Sequence, residues 1–225
     1  MLKTKYTDLL EAGIDEAGRG PLFGRVYAGI CRWNPEIKSD LIRDSKKLSA
    51  RKRLIAYDFI KENAIDYVVS WEDEKTIDEI NILKATQSAM HKGIRNLLVR
   101  PSHLLVDGHY FQAYVDEDGM NIPHTCVEGG DNEYISIAAA SILAKVEHDK
   151  YIEEMCDKYE NLDEFYGLRS NKGYGTKKHM EGIKKYGISE WHRKSFRPCQ
   201  KIDYYGKNYI EPKNAQNKSM YSPYF

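Results

Sequence analysis

Runs of apolar residues separated by polar turns predict alternating strands and helices. Leu9, Leu10, Ala12 and Ile14 predict a buried strand that delivers Asp15 to an interior-facing position. Similar short runs predict four further strands, at about 26–31, 65–71, 103–106 and 125–127. The first two strands are close enough in sequence to form a hairpin.

Between and after the later strands, apolar residues recur at helical spacing. Ser49 is placed to cap a helix over about 50–63, whose predicted apolar face is Leu54, Ile55, Phe59 and Ile60. Asn81 is placed to cap a second helix, and the predicted ranges of the remaining helices are about 81–98, 135–159, 176–186 and 189–195. This order predicts the α/β class, with a mixed five-stranded sheet in which three antiparallel strands precede parallel additions. Helices flank the sheet, and the C-terminal part is helical.

Composition places the chain among globular proteins. Its 225 residues are 41% hydrophobic and 12% aromatic, enough to bury a core. No apolar run approaches the roughly 20 residues of a membrane span, and the N-terminus lacks the layout of a signal peptide. The four cysteines are widely separated and do not match zinc spacing, so reduced thiols are expected. We therefore expect a cytoplasmic protein, or one in an equivalent interior that contains DNA.

Charge is balanced overall but unevenly distributed. Residues 147–164 carry eight acids and two lysines, a net charge of −6. Residues 169–197 carry nine bases and two acids, a net charge of +7, with Tyr174, Tyr186, Trp191 and Phe196 interleaved. Bases mixed with aromatic rings are typical of surfaces that bind nucleic acid, although such runs are also typical of a solvated helix face.

Candidate chemistry begins in the stretch 13–24, which holds two adjacent carboxylates, an arginine and four glycines. This combination indicates a metal next to a phosphate, although an isolated Asp-Glu pair is also typical of a solvated turn. Adjacent strand residues point to opposite faces, so Asp15 and Glu16 share a site only if the strand ends or bulges there. Asp107 and Asp131 also lie where a predicted strand ends or a helix begins. Four carboxylates would balance the charge of two Mg²⁺ ions.

Eight motifs, in order, resemble ribonuclease HII, the type 2 ribonuclease H. They cover about residues 10–200 and comprise GIDEAGRGPL at 13–22, DSKKLS at 44–49, INILKAT at 80–86, VDG at 106–108, GD at 130–131, AASILAKV at 139–146, GYGT at 173–176 and HRKSFRP at 192–198. Each motif alone is weak, but eight in order are specific.

The resemblance implies a ribonuclease H-like fold and a metal-dependent endonuclease. It implies cleavage on the 5′ side of a ribonucleotide embedded in duplex DNA, or within the RNA strand of an RNA–DNA hybrid, leaving a 5′-phosphate and a 3′-hydroxyl. Such an enzyme removes misincorporated ribonucleotides and RNA primers during DNA replication and repair. Two Mg²⁺ or Mn²⁺ ions would be held by Asp15, Glu16, Asp107 and Asp131.

The resemblance also implies substrate-binding residues. The backbone of Gly18-Arg19-Gly20 would bond the ribose 2′-hydroxyl, the group that distinguishes RNA from DNA. Tyr174 would stack on the neighbouring deoxyribose, although a tyrosine in a glycine-flanked surface turn is also typical of structure alone. Phosphate contacts would come from Ser45, Lys46 and Lys47, although two lysines before a helix are also typical of simple solvation.

Three positions depart from the family pattern. Gly129 stands where a lysine often precedes the Gly-Asp of the fourth carboxylate. His148-Asp149 replaces an Arg-Asp pair, and neither residue is assigned to the site. Arg25 follows Gly24 where a small residue or proline is common, and we expect it to add a basic contact.

Domain organisation is predicted as one ribonuclease H-like catalytic domain over 1–200, with a basic helical C-terminal part at about 165–200. A loosely held tail is expected over 201–225. Residues 216–225 are like a sliding-clamp peptide with the spacing off by one, which gives a weak clamp hypothesis. The chain is otherwise expected to be a monomer that contacts RNA–DNA hybrids and ribonucleotide-containing DNA, with no membrane contact.

Two competing functions share parts of this evidence. A DNA-only nuclease of the same fold would use the carboxylates but would lack a 2′-hydroxyl reader, so Gly18-Arg19-Gly20 and Tyr174 argue against it. A nucleic-acid-binding module without catalysis would not gather four acids beside phosphate.

Overall fold

The computed structural model describes residues 1–202, apart from the side chains of Lys46 and Glu160. The predicted tail and clamp peptide therefore lie outside the described residues. Five strands are formed, β1 Glu11–Ala17, β2 Val26–Arg32, β3 Asp66–Glu72, β4 His103–Asp107 and β5 His124–Val127. Seven α-helices are formed within the described part, α1 Ala50–Asn63, α2 Glu74–Ile80, α3 Ile82–Arg95, α4 Ile135–Lys158, α5 Glu160–Tyr166, α6 Leu168–Asn171 and α7 Lys177–Tyr186. Short 3-10 helices lie at Ser45–Lys47, Gly130–Asn132 and Arg197–Cys199.

The strands form one mixed sheet in the order β3-β2-β1-β4-β5. The pairs β1–β2 and β2–β3 are antiparallel, whereas β1–β4 and β4–β5 are parallel. The prediction of three antiparallel strands followed by parallel additions is confirmed. Because β1 and β4 are parallel neighbours, their C-terminal ends meet at one edge of the sheet, where α/β proteins place ligands.

Helices α3 and α4 pack on the sheet at positions where glycine leaves room. A Cβ added at Gly29 of β2 would lie 2.1 Å from the Ala140 carbonyl oxygen of α4, and one at Gly13 of β1 would lie 2.3 Å from the Ser136 carbonyl carbon. Helix α4 therefore lies directly against the backbone of both strands. A Cβ at Gly93 of α3 would in turn lie 1.9 Å from Ile30 Cδ1. The alanine-rich first half of α4 supplies the small side chains that this close approach needs.

Several apolar residues assigned to the core from the sequence are exposed. Leu9 and Leu10 are 54% exposed because β1 begins only at Glu11, whereas Ala12 and Ile14 are fully buried. In α1, Leu54 and Ile55 are about half exposed, and the buried residues are instead Ala56, Tyr57 and Ile60. The prediction for this helix face is wrong for Leu54 and Ile55 but right for Ile60, which is buried, and Phe59, which packs against the core. The Tyr57 hydroxyl donates to Glu147.

Helix boundaries follow the capping residues more closely than the apolar pattern. Ser49 accepts a hydrogen bond from the Lys52 amide, and Asn81 accepts one from the Lys84 amide, as predicted. The sequence analysis missed α2, which Asp73 caps by accepting from the Thr76 amide. The helix predicted at 189–195 is a series of turns, and the only regular element that follows within the described chain is the 3-10 helix at Arg197–Cys199.

The chain separates into two compact units. The first comprises Met1–Arg19 and Arg25–His148, and the second comprises Gly20–Gly24 and the chain from Asp149 onward. In the second unit, the Leu22 amide donates to the Gly173 carbonyl and the Arg193 amide donates to the Leu22 carbonyl, both at 2.8 Å. No helix within residues 1–202 is long and apolar enough to cross a membrane.

We predict that Gly29→Ala lowers the free energy of unfolding by about 2 kcal/mol or more, because the new methyl group overlaps the Ala140 carbonyl and forces α4 away from the sheet. Urea denaturation followed by circular dichroism measures the change. Ala113→Val, which adds methyl groups at an exposed loop position, is the control and should leave the midpoint nearly unchanged. Equal midpoints for Gly29→Ala and the wild type would show that α4 does not depend on this close approach.

Candidate active site

Four carboxylates lie at or next to the C-terminal edge of β1 and β4. Asp15 and Glu16 precede the last residue of β1, and Asp107 is the last residue of β4. The Gly130 amide donates to Asp107 Oδ1 at 2.7 Å, which fixes the start of the 3-10 helix that carries Asp131. The positions expected from the sequence are therefore confirmed for all four acids, since each lies at a strand end or before a helix.

Asp15 is a buried carboxylate, only 6% exposed. Burial raises its pKa well above the ordinary value of 3.8, and the negative charges of Glu16 and Asp107 raise that pKa further. Two donors oppose this shift, the Ser141 hydroxyl and the Glu16 amide, which lies 2.7 Å from Asp15 Oδ1. Ser141 Oγ is also 3.0 Å from the buried Ser45 Oγ. Because the single Ser141 hydroxyl proton is directed at Asp15, Ser45 donates to Ser141 and completes a short polar chain under the carboxylate.

Glu16 points away from this buried chain. The expected break in the strand after Asp15 is absent, because β1 remains paired with β2 through Ala17, opposite Tyr27. Adjacent residues of a regular strand alternate between faces. The Glu16 carboxylate instead forms an ion pair with Arg19, with Nη1 3.1 Å from Oε1.

The donor set suits a hard divalent cation. Asp15 is buried beside two further carboxylates, and its raised pKa reports negative charge that the protein compensates only in part. Carboxylate oxygens are the ligands that Mg²⁺ and Mn²⁺ prefer. Among residues 1–202, no three His, Cys, Asp or Glu side chains already converge as a metal-binding group. A cation would therefore have to draw the carboxylates together, which includes turning Glu16 away from Arg19.

Gly18 follows β1 with a left-handed backbone, φ +86°, and a Cβ there would lie 2.6 Å from the His148 ring and 2.9 Å from the Arg25 carbonyl oxygen. Only glycine satisfies both constraints.

Gly20 belongs to the second unit, where a Cβ would lie 3.1 Å from Tyr174 Cε1. The Tyr174 side chain is exposed, and its ring is thus placed against a backbone that carries no side chain.

The three residues predicted to contact phosphate have different environments. Ser45 is buried and takes part in the polar chain below Asp15. The exposed Lys47 ammonium contacts Asn132 Oδ1 and lies 3.6 Å from Asp44 Oδ2. The Lys46 side chain lies outside the described part. A phosphate contact remains a prediction for all three.

The basic segment 169–197 is partly neutralised within its own unit. Arg169 bonds Glu153 and Asp157, both at 2.6 Å, and Lys172 also contacts Glu153. Arg193 is fully buried, and its Nε donates to the Gly24 carbonyl at 2.8 Å. Lys177 also lies 3.9 Å from Glu181. The exposed bases of the segment are Lys177, Lys178, Lys184, Lys185, Lys194 and Arg197.

The three departures from the family pattern have local explanations. Gly129 has φ +67°, a left-handed conformation that disfavours the lysine often found there. His148 is 1% exposed and stands edge-on to Tyr27. The Arg25 guanidinium lies 3.6 Å from the centre of the Trp71 ring, which orients it on the surface of the first unit.

Comparison with known proteins identifies this arrangement. A model of the ribonuclease HII family matches residues 12–199. The chain belongs to the ribonuclease HII family. It is 44% identical over 189 residues to ribonuclease HII of Phocaeicola vulgatus, covering 84% of this chain and 90% of that one. It is 46% identical over 196 residues to ribonuclease HII of Parabacteroides distasonis, covering 87% and 94%. The resemblance stated from the motifs is confirmed, and membership implies ribonuclease H activity on nucleic acid.

Solved structures of ribonuclease H enzymes share the fold. Ribonuclease H2 of Pyrococcus horikoshii OT3 superposes with a TM-score of 0.67 at 25% identity, covering 84% of this chain and 94% of that one. Ribonuclease HII of Archaeoglobus fulgidus, solved in complex with PCNA, gives 0.63 at 24% identity, covering 81% and 91%. Bst-RNase HIII, solved with Mn²⁺, gives 0.60 at 20% identity, covering 85% and 68%. The predicted ribonuclease H-like fold is confirmed.

A buried histidine pair lies beneath the family's tyrosine turn in the second unit. His179 Nε2 and His192 Nε2 are 3.0 Å apart, and neither residue is exposed. Burial lowers the pKa of His179 to about 4, and burial together with the neighbouring His179 ring holds the pKa of His192 well below its ordinary value. Neither ring contacts a carboxylate within the described chain, so both imidazoles are neutral at pH 7.

Two polar contacts are not predicted by the sequence pattern, the one between Ser141 and Asp15 and the one between His179 and His192. Ser141 carried a signal, since it is the one hydroxyl in an otherwise apolar run at 137–144. A polar residue in such a run is expected to face a polar partner. His179 and His192 carried a weaker signal, because a spacing of 13 residues in a turn-rich region fixes no contact.

We predict that Asp107→Asn raises the melting temperature in EDTA by roughly 2 to 6 °C, because it removes a charge that repels Asp15 while the asparagine oxygen still accepts from the Gly130 amide. Differential scanning calorimetry in EDTA and in Mg²⁺ measures the effect. The exposed Asp118→Asn variant is the control. A lower melting temperature for Asp107→Asn in EDTA, with the control unchanged, would contradict the repulsion.

We predict that the free energy of unfolding falls as pH is lowered from 6.5 to about 4, because His179 has a folded pKa of about 4 and an ordinary pKa of 6.5. Between these pH values the imidazole binds a proton in the unfolded protein but not in the folded protein, which favours unfolding. The stabilisation is therefore fully present above pH 6.5 and is lost as the pH falls toward 4. Its size is on the order of 3 kcal/mol. Urea unfolding of His179→Gln should converge with the wild type as pH falls, whereas the exposed His109→Gln control should run parallel to it. Parallel curves for His179→Gln would contradict the assignment.

Proposed function

We propose that the chain is a metal-dependent endoribonuclease that hydrolyses the phosphodiester on the 5′ side of a ribonucleotide. Its substrates would be single ribonucleotides embedded in duplex DNA and the RNA strand of RNA–DNA hybrids, and its products a 5′-phosphate and a 3′-hydroxyl. The observation that carries the proposal is Asp15, a buried carboxylate at the sheet edge whose pKa is raised by burial and by two neighbouring carboxylates. Compensation of such a group by a divalent cation is the arrangement that phosphodiester hydrolysis needs.

Asp15, Glu16, Asp107 and Asp131 would hold the cations. When bound, two Mg²⁺ or Mn²⁺ ions supply activation of the attacking water and stabilisation of the leaving oxygen. The protein itself holds the Asp15 carboxylate in one orientation, because this carboxylate accepts hydrogen bonds from the Ser141 hydroxyl and the Glu16 amide. The Gly130 amide does the same for Asp107. Asp15 and Asp107 are therefore held in fixed orientations, and binding of the cations would still have to draw the carboxylates together and release Glu16 from Arg19.

Selection of ribose would come from residues 18–20 and Tyr174. Gly18 has no side chain at the point where its backbone passes the His148 ring and the Arg25 carbonyl, and the exposed ring of Tyr174 offers a surface for a sugar to stack on. Arg19 would then have two states, paired with Glu16 in the free protein and released when cations occupy the carboxylates. Removal of misincorporated ribonucleotides and RNA primers is the role that this specificity supports, in the cytoplasm or an equivalent interior that contains DNA. The weak clamp contact through residues 216–225 remains a proposal, in keeping with the PCNA complex of the Archaeoglobus protein.

We predict that, in Mg²⁺ or Mn²⁺, the protein cuts a DNA duplex with one embedded ribonucleotide and an RNA–DNA hybrid but leaves the all-DNA duplex intact. Because loss of even a supporting contact costs about 10- to 100-fold, Asp107→Asn should lose more than about 100-fold in kcat/KM, while Asp118→Asn should be unaffected. Gel analysis measures cleavage, and polymerase extension and ligation of the fragments identify the ends.

Three outcomes would contradict the proposal. Equal cutting of the all-DNA duplex would indicate a DNA-only nuclease. Binding without cleavage in either metal would indicate a binding module. Fragments that a polymerase cannot extend would show that the bond is broken on the other side of the phosphate.

A further inference from the structure

The backbone of Tyr174 is held at three points in the second unit. Its amide donates to the Asn171 carbonyl at 3.0 Å, and its carbonyl accepts from the Thr176 amide at 2.8 Å and from His179 Nδ1 at 3.0 Å. The preceding Lys172 and Gly173 both have positive φ, +51° and +83°. A turn that contains a left-handed lysine needs outside support to keep one conformation. The only side chain among these three donors and acceptors is the imidazole of His179.

The hydrogen-bond chain fixes the tautomers of both histidines. The Ser189 amide donates to His192 Nδ1 at 3.0 Å, so that nitrogen is an acceptor and the His192 proton is on Nε2. His192 Nε2 therefore donates to His179 Nε2, and the His179 proton is on Nδ1, where it meets the Tyr174 carbonyl. Ser189 thus donates to His192, His192 donates to His179, and His179 donates to the Tyr174 carbonyl. A proton added to either ring would place two donors face to face.

The pair is anchored in the same cluster as the segment Gly20–Gly24. The His192 ring stands edge-on to Phe23, with centroids 5.4 Å apart, and to Tyr166, with centroids 4.7 Å apart. Next to it in sequence, Arg193 bonds the Leu22 and Gly24 carbonyls. The Tyr174 turn and the glycine segment against which its ring lies are thus held by one buried core. Both histidines are fully buried, so neither can touch a substrate.

We propose that the His179–His192 pair positions Tyr174, and that the imidazole chain thereby sets the enzyme's preference for a ribonucleotide next to DNA without taking part in the cleavage step. This inference rests on the proposed function of Tyr174 as the group that stacks on the neighbouring deoxyribose. His179 and His192 are positioning residues, since they act only through the Tyr174 turn. Their effect is confined to the substrate that uses the tyrosine.

A matched pair of polar substitutions tests the donor at His179. The amide nitrogen of His179→Asn takes the place of Nδ1 and can still donate to the Tyr174 carbonyl, whereas His179→Gln reaches toward His192 and leaves that carbonyl without its side-chain donor. The readout is kcat/KM on duplex DNA with one embedded ribonucleotide, divided by kcat/KM on a continuous RNA–DNA hybrid. We expect His179→Asn to keep this ratio within about twofold of the wild type. His179→Gln should lower it by about tenfold, as Tyr174→Ala does, since loss of one stacked group has an effect of that size. A ratio for His179→Gln equal to that of the wild type would overturn the proposal.

A double substitution separates positioning from a general structural effect. If His179 acts through Tyr174, the ratio for Tyr174→Ala/His179→Gln should equal that for Tyr174→Ala alone. The double variant could instead lower the ratio by the product of the two separate effects, or His179→Gln could lower kcat/KM equally on the hybrid. Either result would mean that His179→Gln only weakens the fold, and would overturn the proposal. The assays are run at least about 10 °C below the melting temperature of each variant, so that the folded enzyme is measured. Nitrogen-15 NMR of the wild type at pH 7 should find the proton on Nδ1 of His179 and on Nε2 of His192, and the opposite tautomers would also overturn the proposal.

Failure of this inference can be told from failure of the proposed function. A wild type that cuts neither ribonucleotide substrate, or a Tyr174→Ala variant with an unchanged ratio, would remove the function on which the inference rests. A wild type that needs Tyr174 for its ratio, together with a His179→Gln variant that keeps it, would remove the inference alone.

Discussion

The candidate site depends on the direct contact between α4 and the backbone of β1 and β2. Gly13 and Gly29 have no side chains to hold the helix away, so Ser136 and Ala140 lie against the strands themselves. The next residue after Ala140, Ser141, reaches Asp15 near the end of β1. A helix held further from the sheet by larger residues would leave the Asp15 carboxylate buried without its hydroxyl donor, at a cost of several kcal/mol. Close packing is therefore what makes a buried carboxylate tolerable here.

The first unit keeps negative charge that the protein compensates only in part. Burial and the charges of Glu16 and Asp107 raise the pKa of Asp15, and the hydroxyl and amide donors offset that rise incompletely. Arg19 neutralises Glu16 from outside the buried chain. A bound divalent cation would remove this repulsion, while the donors to Asp15 and Asp107 already hold those two carboxylates in place. Relief of the repulsion would favour the cation-bound state.

In the second unit, burial instead keeps the His179 and His192 rings neutral. His179 and His192 hydrogen-bond to each other and to one backbone group each, the Tyr174 carbonyl and the Ser189 amide. The two neutral rings have no charge to compensate. A neutral pair depends less on solvent and salt than an ion pair would. It also joins a turn that contains left-handed residues to a core, which gives an exposed tyrosine a defined backbone. The proposed roles in chemistry and in recognition would thus depend on different kinds of polar interaction.

The sequence by itself determined the five strands, the mixed sheet, the capping roles of Ser49 and Asn81, the location of the acids at strand ends and the family. These follow from local periodicity and short motifs, which a chain carries at any stage of folding. Tertiary structure alone decided that α1 buries Tyr57 rather than Leu54, that Ser45 lies under Asp15 and that His179 meets His192. Each of these depends on how closely two distant segments approach, and side-chain partners change with shifts of about an ångström. The spacing of residues along the chain does not determine how closely the two segments approach, because the packing of the whole core sets that distance.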